Sequence, residues 1–499
     1  MKLVILKIIM MIPLLCSAQW TQVGNDINGE HSGDESGYAV SLSSNGSIIA
    51  IGAPENDGNG NTSGHVRVFQ NTNGNWVQIG QDINGTNFSD RSGYSVSLSG
   101  DGEILVVGSP YNDDNGNNAG MVRLFNKVGN NWSLINTFYG DSQDDFFGYS
   151  VALSKNGNIL AIGAPRAGAS SVSDGEGHIK LYEKVNSSWI FRYTINGEQE
   201  QEYFGSALSL SEDGSIVAVG AHRWPLLSSS KGAVRVYKRH NNTNLWLSLG
   251  FSIEGVNSGE EFGYSVSLNS LGSILAIGAR RSDTNGTNSG LAKIYELNAS
   301  ETAWIQLGND IIGNSGDNLG SSISLNSDGD LLAVGASEAN SVAGLVRIYR
   351  DMGGSWSQLG NDIVGENSQD FSASLGAVKL NSDGMTLAVG AFGNDGNGSN
   401  SGHVRVYTNP TLSIANSSNY DKTIILHPNP INSLSILELG KNYNKVDLEF
   451  FNVLGKLIKK ENYVNVSKIR IKTQNLTNGV FFVKVKIPKK ETTIRLVKK

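Results

Sequence analysis

"SGYSVSLSGDGEILVVGSP" (residues 92–110) holds the pattern on which the fold turns. Its first eight residues alternate small polar and apolar side chains, the period-two signature of a strand. Asp101-Gly102 then fits a tight hairpin turn, because both residues tolerate left-handed backbone. "ILVVGSP" is an apolar run suited to a strand buried on both faces. A long polar link follows, "YNDDNGNNAG" (111–120), and then a third strand, "MVRLF" (121–125). A short turn leads to a fourth strand that opens on Trp132.

The unit recurs. "SGHVRVF" (63–69) and "SGHVRVY" (401–407) bracket "GMVRLF" (120–125), "GHIKLY" (177–182), "GAVRVY" (232–237), "GLAKIY" (290–295) and "GLVRIY" (344–349). Tryptophans mark the same period at Trp20, Trp76, Trp132, Trp189, Trp246, Trp304 and Trp356. A regular long period means stacked supersecondary units. Four antiparallel strands with short turns, repeated seven times, predict an all-β chain whose main part is a seven-bladed β-propeller. The chain starts on a fourth-strand phrase, "WTQVGNDI" (20–27), and its last repeat stops at a third strand. The N-terminal strand is therefore expected beside Val404–Tyr407, which removes the open edge.

"FGYSVAL" (147–153), "ILAIGAP" (159–165) and "GHIKLY" (177–182) resemble the FG-GAP repeat of integrin-α-like propellers. Phe147-Gly148 and Gly163-Ala164-Pro165 carry the naming phrases, and Phe262-Gly263 repeats the first. The resemblance spans about residues 20–407. It departs in one respect: the family's calcium loops sit between the first two strands, where this chain has only a tight Asn-Gly or Asp-Gly turn.

The end of the chain differs. "ILHPNP" (425–430), "VDLEFFNVLGKLI" (446–458), "LTNGVFFVKV" (476–485) and "TTIRLVKK" (492–499) resemble the type A C-terminal sorting domain of the type IX secretion system. The resemblance implies a small Ig-like β-sandwich, the type IX machinery as partner, and export to the outside of the outer membrane. Residues 1–18 read as a signal peptide, with Lys2 and Lys7 before an apolar run and small residues ahead of Gln19. The run is short for a transmembrane anchor. The expected division is a signal peptide at 1–18, a propeller at 19–407, a Ser/Asn/Thr-rich linker at 408–420 and a sorting domain at 421–499.

Charge follows that division. Residues 19–419 carry 21 basic against 40 acidic residues, and residues 420–499 carry 16 against 6. The acidic propeller argues against nucleic acid as a partner. The single cysteine, Cys16, lies in the signal peptide, so the mature chain has neither disulfide nor thiol nucleophile.

In a four-stranded meander the second-to-third and fourth-to-first links share a face. These are the long links, and they hold most of the acids, including Asp34, Glu35, Asp141, Asp144, Asp145, Glu260, Glu261, Asp317 and Asp370. Long loops on a rigid scaffold are where binding residues usually stand; solubility is the alternative use of such acids. Four links share a spacing: Asp57-Asn59-Asn61, Asp113-Asn115-Asn117, Asp283-Asn285-Thr287 and Asp395-Asn397-Ser399. Alternate oxygens in a Gly-rich loop resemble the first half of a calcium site, although the bidentate acid that completes one is missing. Asp34, Glu35 and Asp370 stand close enough in the pattern to lend a second carboxylate. Plain Asn/Asp/Gly turn chemistry is the competing account.

The seven third-strand cations, Arg67 to Arg405, are expected to lie along the tryptophans and pack between blades. A ring of anion-binding groups is the alternative. No nucleophile elbow or His-Glu-x-x-His motif occurs, and no catalytic residue is identified. The composition points to a non-catalytic binding or adhesion module for an extracellular glycan or protein. A polysaccharide-active enzyme on the long-link face is the second reading. Carboxylates and cations converging at the channel mouth would favour the enzyme, and acids spread evenly around the rim would favour binding.

Overall fold

The computed structural model describes residues 20–168, 175–223, 230–240, 243, 245–409, 425–427, 434–452, 456–472, 479–488 and 490–498. The signal peptide and most of the linker lie outside them. The chain divides into two compact units, Met1–Asn409 and Pro410–Lys499. Helix among the described residues is confined to Ala339–Val342.

The first unit contains, among the described residues, seven sheets of four or five antiparallel strands. In one of them Ser95–Leu98, Ile104–Ser109, Met121–Val128 and Asn131–Tyr139 follow in order, with Val96 opposite Val107 and Val107 opposite Arg123. Five of the second strands are buried along their whole length and the other two in all but their first residue, Ile274 or Thr386, as their apolar runs require. The first strands pack on one another around a common axis. The series runs from Ala39–Leu42 through Ser95–Leu98 to Val378–Leu380 and returns to Ala39–Leu42. The unit is a β-propeller.

Two residue choices allow this close packing. At the start of six first strands a glycine faces the glycine of the preceding sheet's second strand; in the last sheet Ala373 takes that place against Gly335. A Cβ on Gly52 would lie 2.0 Å from the carbonyl oxygen of Gly93, and one on Gly390 would lie 2.0 Å from that of Gly37. The repeated glycines therefore mark backbone-to-backbone contact between sheets. The polar positions of the first strands act as sutures. Ser41 Oγ accepts the N–H of Leu98 at 2.9 Å, and Ser97, Ser209, Ser267 and Ser324 do the same for Leu153, Leu268, Leu325 and Leu380.

The N-terminal segment completes the last sheet. Thr21 stands opposite Thr408, Gln22 opposite Tyr407 and Ile27 opposite Val404. At the short-turn end the backbone closes a second time. Ser44 N–H donates to Gly100 O, Gly100 to Lys155, Asn156 to Glu212, Glu212 to Ser270, Ser270 to Ser327, Ser327 to Ser382 and Ser382 back to Ser44, at 2.8–3.3 Å. Equivalent turns from all seven sheets thus form one hydrogen-bonded loop.

The third-strand cations pack within and between sheets, but not along the tryptophans. Arg67 lies over Phe69 at 5.3 Å, Arg123 over Phe125 at 5.4 Å and Arg405 over Tyr407 at 5.7 Å. The register explains the difference. Asn73 and Gly74 both adopt left-handed backbone in a two-residue turn, so Trp76 faces Asn71 and not Phe69. The cations reach instead to the neighbouring sheet: Arg67 Nη2 donates to Asn28 O at 2.6 Å and Arg123 Nη2 to Asn84 O at 2.7 Å. Arg235 forms a bidentate pair with buried Glu202 at 2.8 and 2.9 Å. The tryptophans clasp the neighbour separately, through Trp76 Nε1 to Val23 O at 3.1 Å and Trp132 Nε1 to Ile79 O at 3.2 Å.

The second unit is a small sandwich. Ile425–His427, Leu434–Tyr443 and Val466–Lys472 form one sheet. Leu457–Tyr463, Val446–Asn452, Gly479–Ile487 and Lys490–Lys498 form the other. Leu437, Leu448, Phe450, Ile471, Val483 and Leu496 share its core.

Candidate functional site

The long-link end of the channel gathers side chains from three places in each repeat. The first is the residue three before the first-strand tyrosine or its replacement. At Glu35, Arg91, Phe146, Tyr203, Glu261, Asn318 and Phe371 this residue has φ between 49° and 59°. Non-glycine residues rarely adopt such backbone. Seven equivalent residues hold it, and the side chains they present differ from repeat to repeat. The second is the first-strand tyrosine: Tyr38, Tyr94, Tyr149 or Tyr264. The third is the turn after the second strand, which supplies Glu55, Tyr111, Arg166, His222, Arg280 and Phe392.

These groups form an arc of half-buried rings. Tyr38 and Tyr94 lie 5.0 Å apart, as do Tyr94 and Tyr149. Phe392 joins Tyr38 at 5.7 Å and stacks on Phe371 at 5.2 Å. Tyr111 extends the arc to Phe146, edge to face at 5.2 Å. Further round, His222 sits 5.6 Å from both Tyr203 and Tyr264. Guanidinium groups cover several rings: Arg91 over Tyr111 at 4.7 Å, Arg223 over Tyr203 at 4.3 Å and Arg280 over Tyr264 at 3.8 Å. Cation–π contact of this kind holds both partners in place.

Carboxylates complete the mouth. Glu55 pairs with Arg91 at 3.0 Å, and Glu261 accepts from Arg280 Nε at 2.6 Å and lies 3.3 Å from Arg281. Among the described residues Glu35 has no such contact. Burial and the nearby Glu55 carboxylate push its carboxyl up to about 7, against a smaller pull from Arg91. Burial also pushes the phenols of Tyr38, Tyr94, Tyr149 and Tyr264 up, so they remain neutral hydrogen-bond donors. His222, buried with Nδ1 2.9 Å from Ser206 Oγ, is pulled down to about 4 by burial and stays neutral. The channel beneath has a free volume of about 140 Å³ and is lined by Tyr38, Tyr94, Tyr149 and the first-strand serines.

Several acids expected on the rim are internal. Asp34, Asp145, Asp317 and Asp370 are buried, as are Asp90, Glu202 and Glu260 at the same place in their repeats. Each caps its own link. Asp34 Oδ2 accepts the N–H groups of Glu30 and His31, and Asp370 Oδ2 those of Glu366 and Asn367. The adjacent pairs Asp144/Asp145 and Glu260/Glu261 therefore combine a cap with a different neighbour.

The calcium candidates are brought together loop by loop, each against the next link. Asp57, Asp113 and Asp395 each accept a backbone N–H five residues on, at 2.7–2.8 Å. Asn59 donates to Gly85 O, Asn115 to Gly140 O and Asn397 to Gly29 O, at 2.6–2.9 Å. Asn117 lies 3.4 Å from Asp144, whereas the side chain of Asn61 has no such partner, its backbone carbonyl accepting from Ser89. Asp283 and Asn285 repeat the arrangement. The loops thus latch neighbouring sheets. The Asp57, Asp283 and Asp395 patterns each supply one carboxylate, the Asp113 loop adds Asp114, which accepts from Asn87 at 3.1 Å, and Asp370 beside the last loop already receives three donors.

The architecture and tail define a class: an exported β-propeller with a C-terminal sorting module. Residues 425–499 match the family described as "Secretion system C-terminal sorting domain", and residues 84–125 match the "FG-GAP repeat". The chain is a secreted or cell-surface protein, and its tail is the element that the type IX machinery recognises. Among the described residues no helix is long and apolar enough to cross a membrane. A search of curated proteins finds no match. One similar solved structure is a candidate 6-phosphogluconolactonase from Bacteroides uniformis ATCC 8492. It shares 11% identity with a TM-score of 0.47, and the match covers 83% of this chain and 96% of that one. So remote a likeness carries no functional argument.

Proposed function

We propose that the protein is a secreted or cell-surface binding module whose channel mouth recognises an extracellular glycan. The observation that carries this reading is the arc of half-buried rings from Phe371 to Tyr149, interleaved with Arg91, Arg166, Glu35 and Glu55. Sugar rings present apolar C–H faces and a fringe of hydroxyls. Aromatic platforms suit the first, and charged or phenolic groups suit the second. The left-handed residues support the same reading, since strained backbone that recurs at one rim is a mark of functional positions. The mature chain would be applied to a glycan array and to matrix proteins, with and without calcium. Binding confined to glycans supports the proposal, and binding confined to proteins moves the ligand class. Calcium in the Asp57, Asp113 and Asp395 loops is part of the same test: a calcium-dependent signal lost in Asp57→Ala with Asp395→Ala would assign it there.

One observation favours the enzyme reading. Glu35 combines a raised carboxyl with a second carboxylate, Glu55, at the same mouth, the pairing that glycoside hydrolysis uses. Convergence of acids and cations there also meets the criterion set out for an enzyme. Most of these charges are already paired with each other, which favours binding. Release of reducing sugar from a polysaccharide panel, lost in Glu35→Gln, would establish catalysis.

A further inference from the structure

Two copies of one side-chain arrangement flank the segment that closes the ring. The first joins Glu30, His65 and Asp82, and the second joins Glu366, His403 and Asp26. In each, one ligand atom from every residue lies within 4.8 Å of the other two. His65 Nδ1 stands 3.9 Å from Glu30 Oε2, and His403 Nδ1 stands 3.7 Å from Asp26 Oδ2. These distances are too long for hydrogen bonds. They fall within the roughly 4 Å that two metal–ligand bonds of about 2.0–2.2 Å can span.

The remaining atoms are held as the outer shell of a metal site would hold them. Gln78 Nε2 donates to Asp82 Oδ1 at 2.7 Å, and Gln22 Nε2 donates to Asp26 Oδ1 at 2.6 Å. Arg67 and Arg405 each take the Oε1 of the glutamate, at 3.5 Å. Each carboxylate is thereby oriented with its second oxygen left for the centre of the group, as outer-shell partners do for ligands. The histidines supply an independent sign. Both are 1% exposed. Among the described residues His65 Nε2 and both ring nitrogens of His403 have no hydrogen-bond partner; His178 Nε2 shares this, so the discriminating atom is His403 Nδ1, the nitrogen that faces Asp26. Buried polar atoms without partners are rare and call for an explanation, of which an ion is one.

Other repeats show what breaks the arrangement. His178 occupies the same strand position, but Asp141 beside it is paired with Lys180, and no fourth-strand aspartate faces it. Asp310 and Asp362 occupy the fourth-strand position, but Leu291 and Leu345 replace the histidine, and the acids turn to Lys293 and Arg347. Among the described residues the three ligands coincide in two sheets, and these are the two that the closing segment joins.

We propose that each group binds one divalent transition ion of the zinc class, through one imidazole nitrogen and two carboxylate oxygens, with water completing the shell. A mixed nitrogen and oxygen set suits such ions better than calcium or magnesium. Asp26 and Glu30 lie on the closing segment, and their partners lie on the last and first sheets. Two bound ions would therefore fasten that segment on both sides.

The mature full-length chain, stripped with chelator and dialysed, would be titrated with zinc chloride while heat and melting temperature are followed. Two ions per chain and a raised melting temperature are expected. His65→Ala and His403→Ala should each leave one ion, their combination none, and His178→Ala two. Fewer than one ion per folded chain, or two ions retained by the double variant, would overturn the proposal. If the histidine variants do not fold, Asp82→Asn keeps the shape of the site and should leave one ion. Cobalt added to the unaltered protein should then give visible d–d bands shifted by nitrogen ligation, and a spectrum identical to hydrated cobalt would also overturn it.

Discussion

The backbone N–H of Ser382 reaches the carbonyl of Ser44 at 3.0 Å, joining the last repeat's first turn to the first repeat's. The contact completes a hydrogen-bonded loop at the short-turn end, while Thr21–Gln22 and Ile27–Asn28 close the outer edge against His403–Thr408. The two closures are independent, one at the axis and one at the rim.

Removing residues 20–28 should therefore destabilise the propeller without dispersing it. Trp20 and Ile27 are both buried, and losing two such side chains costs roughly 3–6 kcal/mol before the lost strand pairing is counted. Urea unfolding of the truncated chain should show a clearly lower midpoint. An unchanged midpoint would mean that the rim closure contributes nothing.

The paired glycines can be separated from the turn glycines. Gly52→Ala places a methyl 2.0 Å from a backbone oxygen of the next sheet, which has no side chain to move aside. A loss of about 2–4 kcal/mol is expected. Gly74→Ala meets nothing within 4 Å and strains only the backbone, at φ 89°, for about 1 kcal/mol. Denaturation of the two variants side by side should rank them in that order.

Glu35 should leave a signature in the pH dependence of stability. Its folded carboxyl is pushed up to about 7 from an ordinary value of 4.5, so the folded state holds a proton that the unfolded state has already released. Stability from this group is lost as pH rises through that window. Melting curves of Glu35→Gln and the unaltered chain between pH 4.5 and 7.5 should diverge, with the variant flatter. Parallel curves would place the Glu35 carboxyl in solvent.

Much of the architecture was legible because it is written locally and repeated. Asn-Gly and Asp-Gly turns, alternating first strands and apolar second strands each identify themselves, and the tryptophan period counts the units. The tail was legible from the order and spacing of its own phrases, from "ILHPNP" to "TTIRLVKK". The mouth was not. Tyr38, Tyr94, Tyr149 and Tyr264 look like strand residues within a fixed phrase, and their meeting depends on contacts between repeats. A signal was present in the variable residue just before "SGY" or "FGY". There Glu35, Arg91, Phe146 and Glu261, with Tyr203 before the related "FGS", vary more than the acid before them or the glycine two residues on. The acids misled because link position says nothing of direction: Asp34 and Asp370 turn inward to cap backbone, whereas Glu35, beside Asp34, faces the mouth. The cations were correctly read as packing groups but set on the wrong ring, since the two-residue turn at Asn73-Gly74 moves Trp76 beyond Phe69.

Glycan recognition at the channel mouth depends above all on the aromatic arc as the ligand platform. The most direct measurement is the affinity of the unaltered chain and of Tyr94→Ala with Tyr149→Ala for the strongest glycan on the array, by calorimetry. The doubly substituted chain must keep the melting temperature of the propeller within a few degrees. Truncating two adjacent rings at the centre of a platform should weaken binding at least about tenfold. Equal affinity in the unaltered and doubly substituted proteins would contradict the assignment of the channel mouth as the binding site.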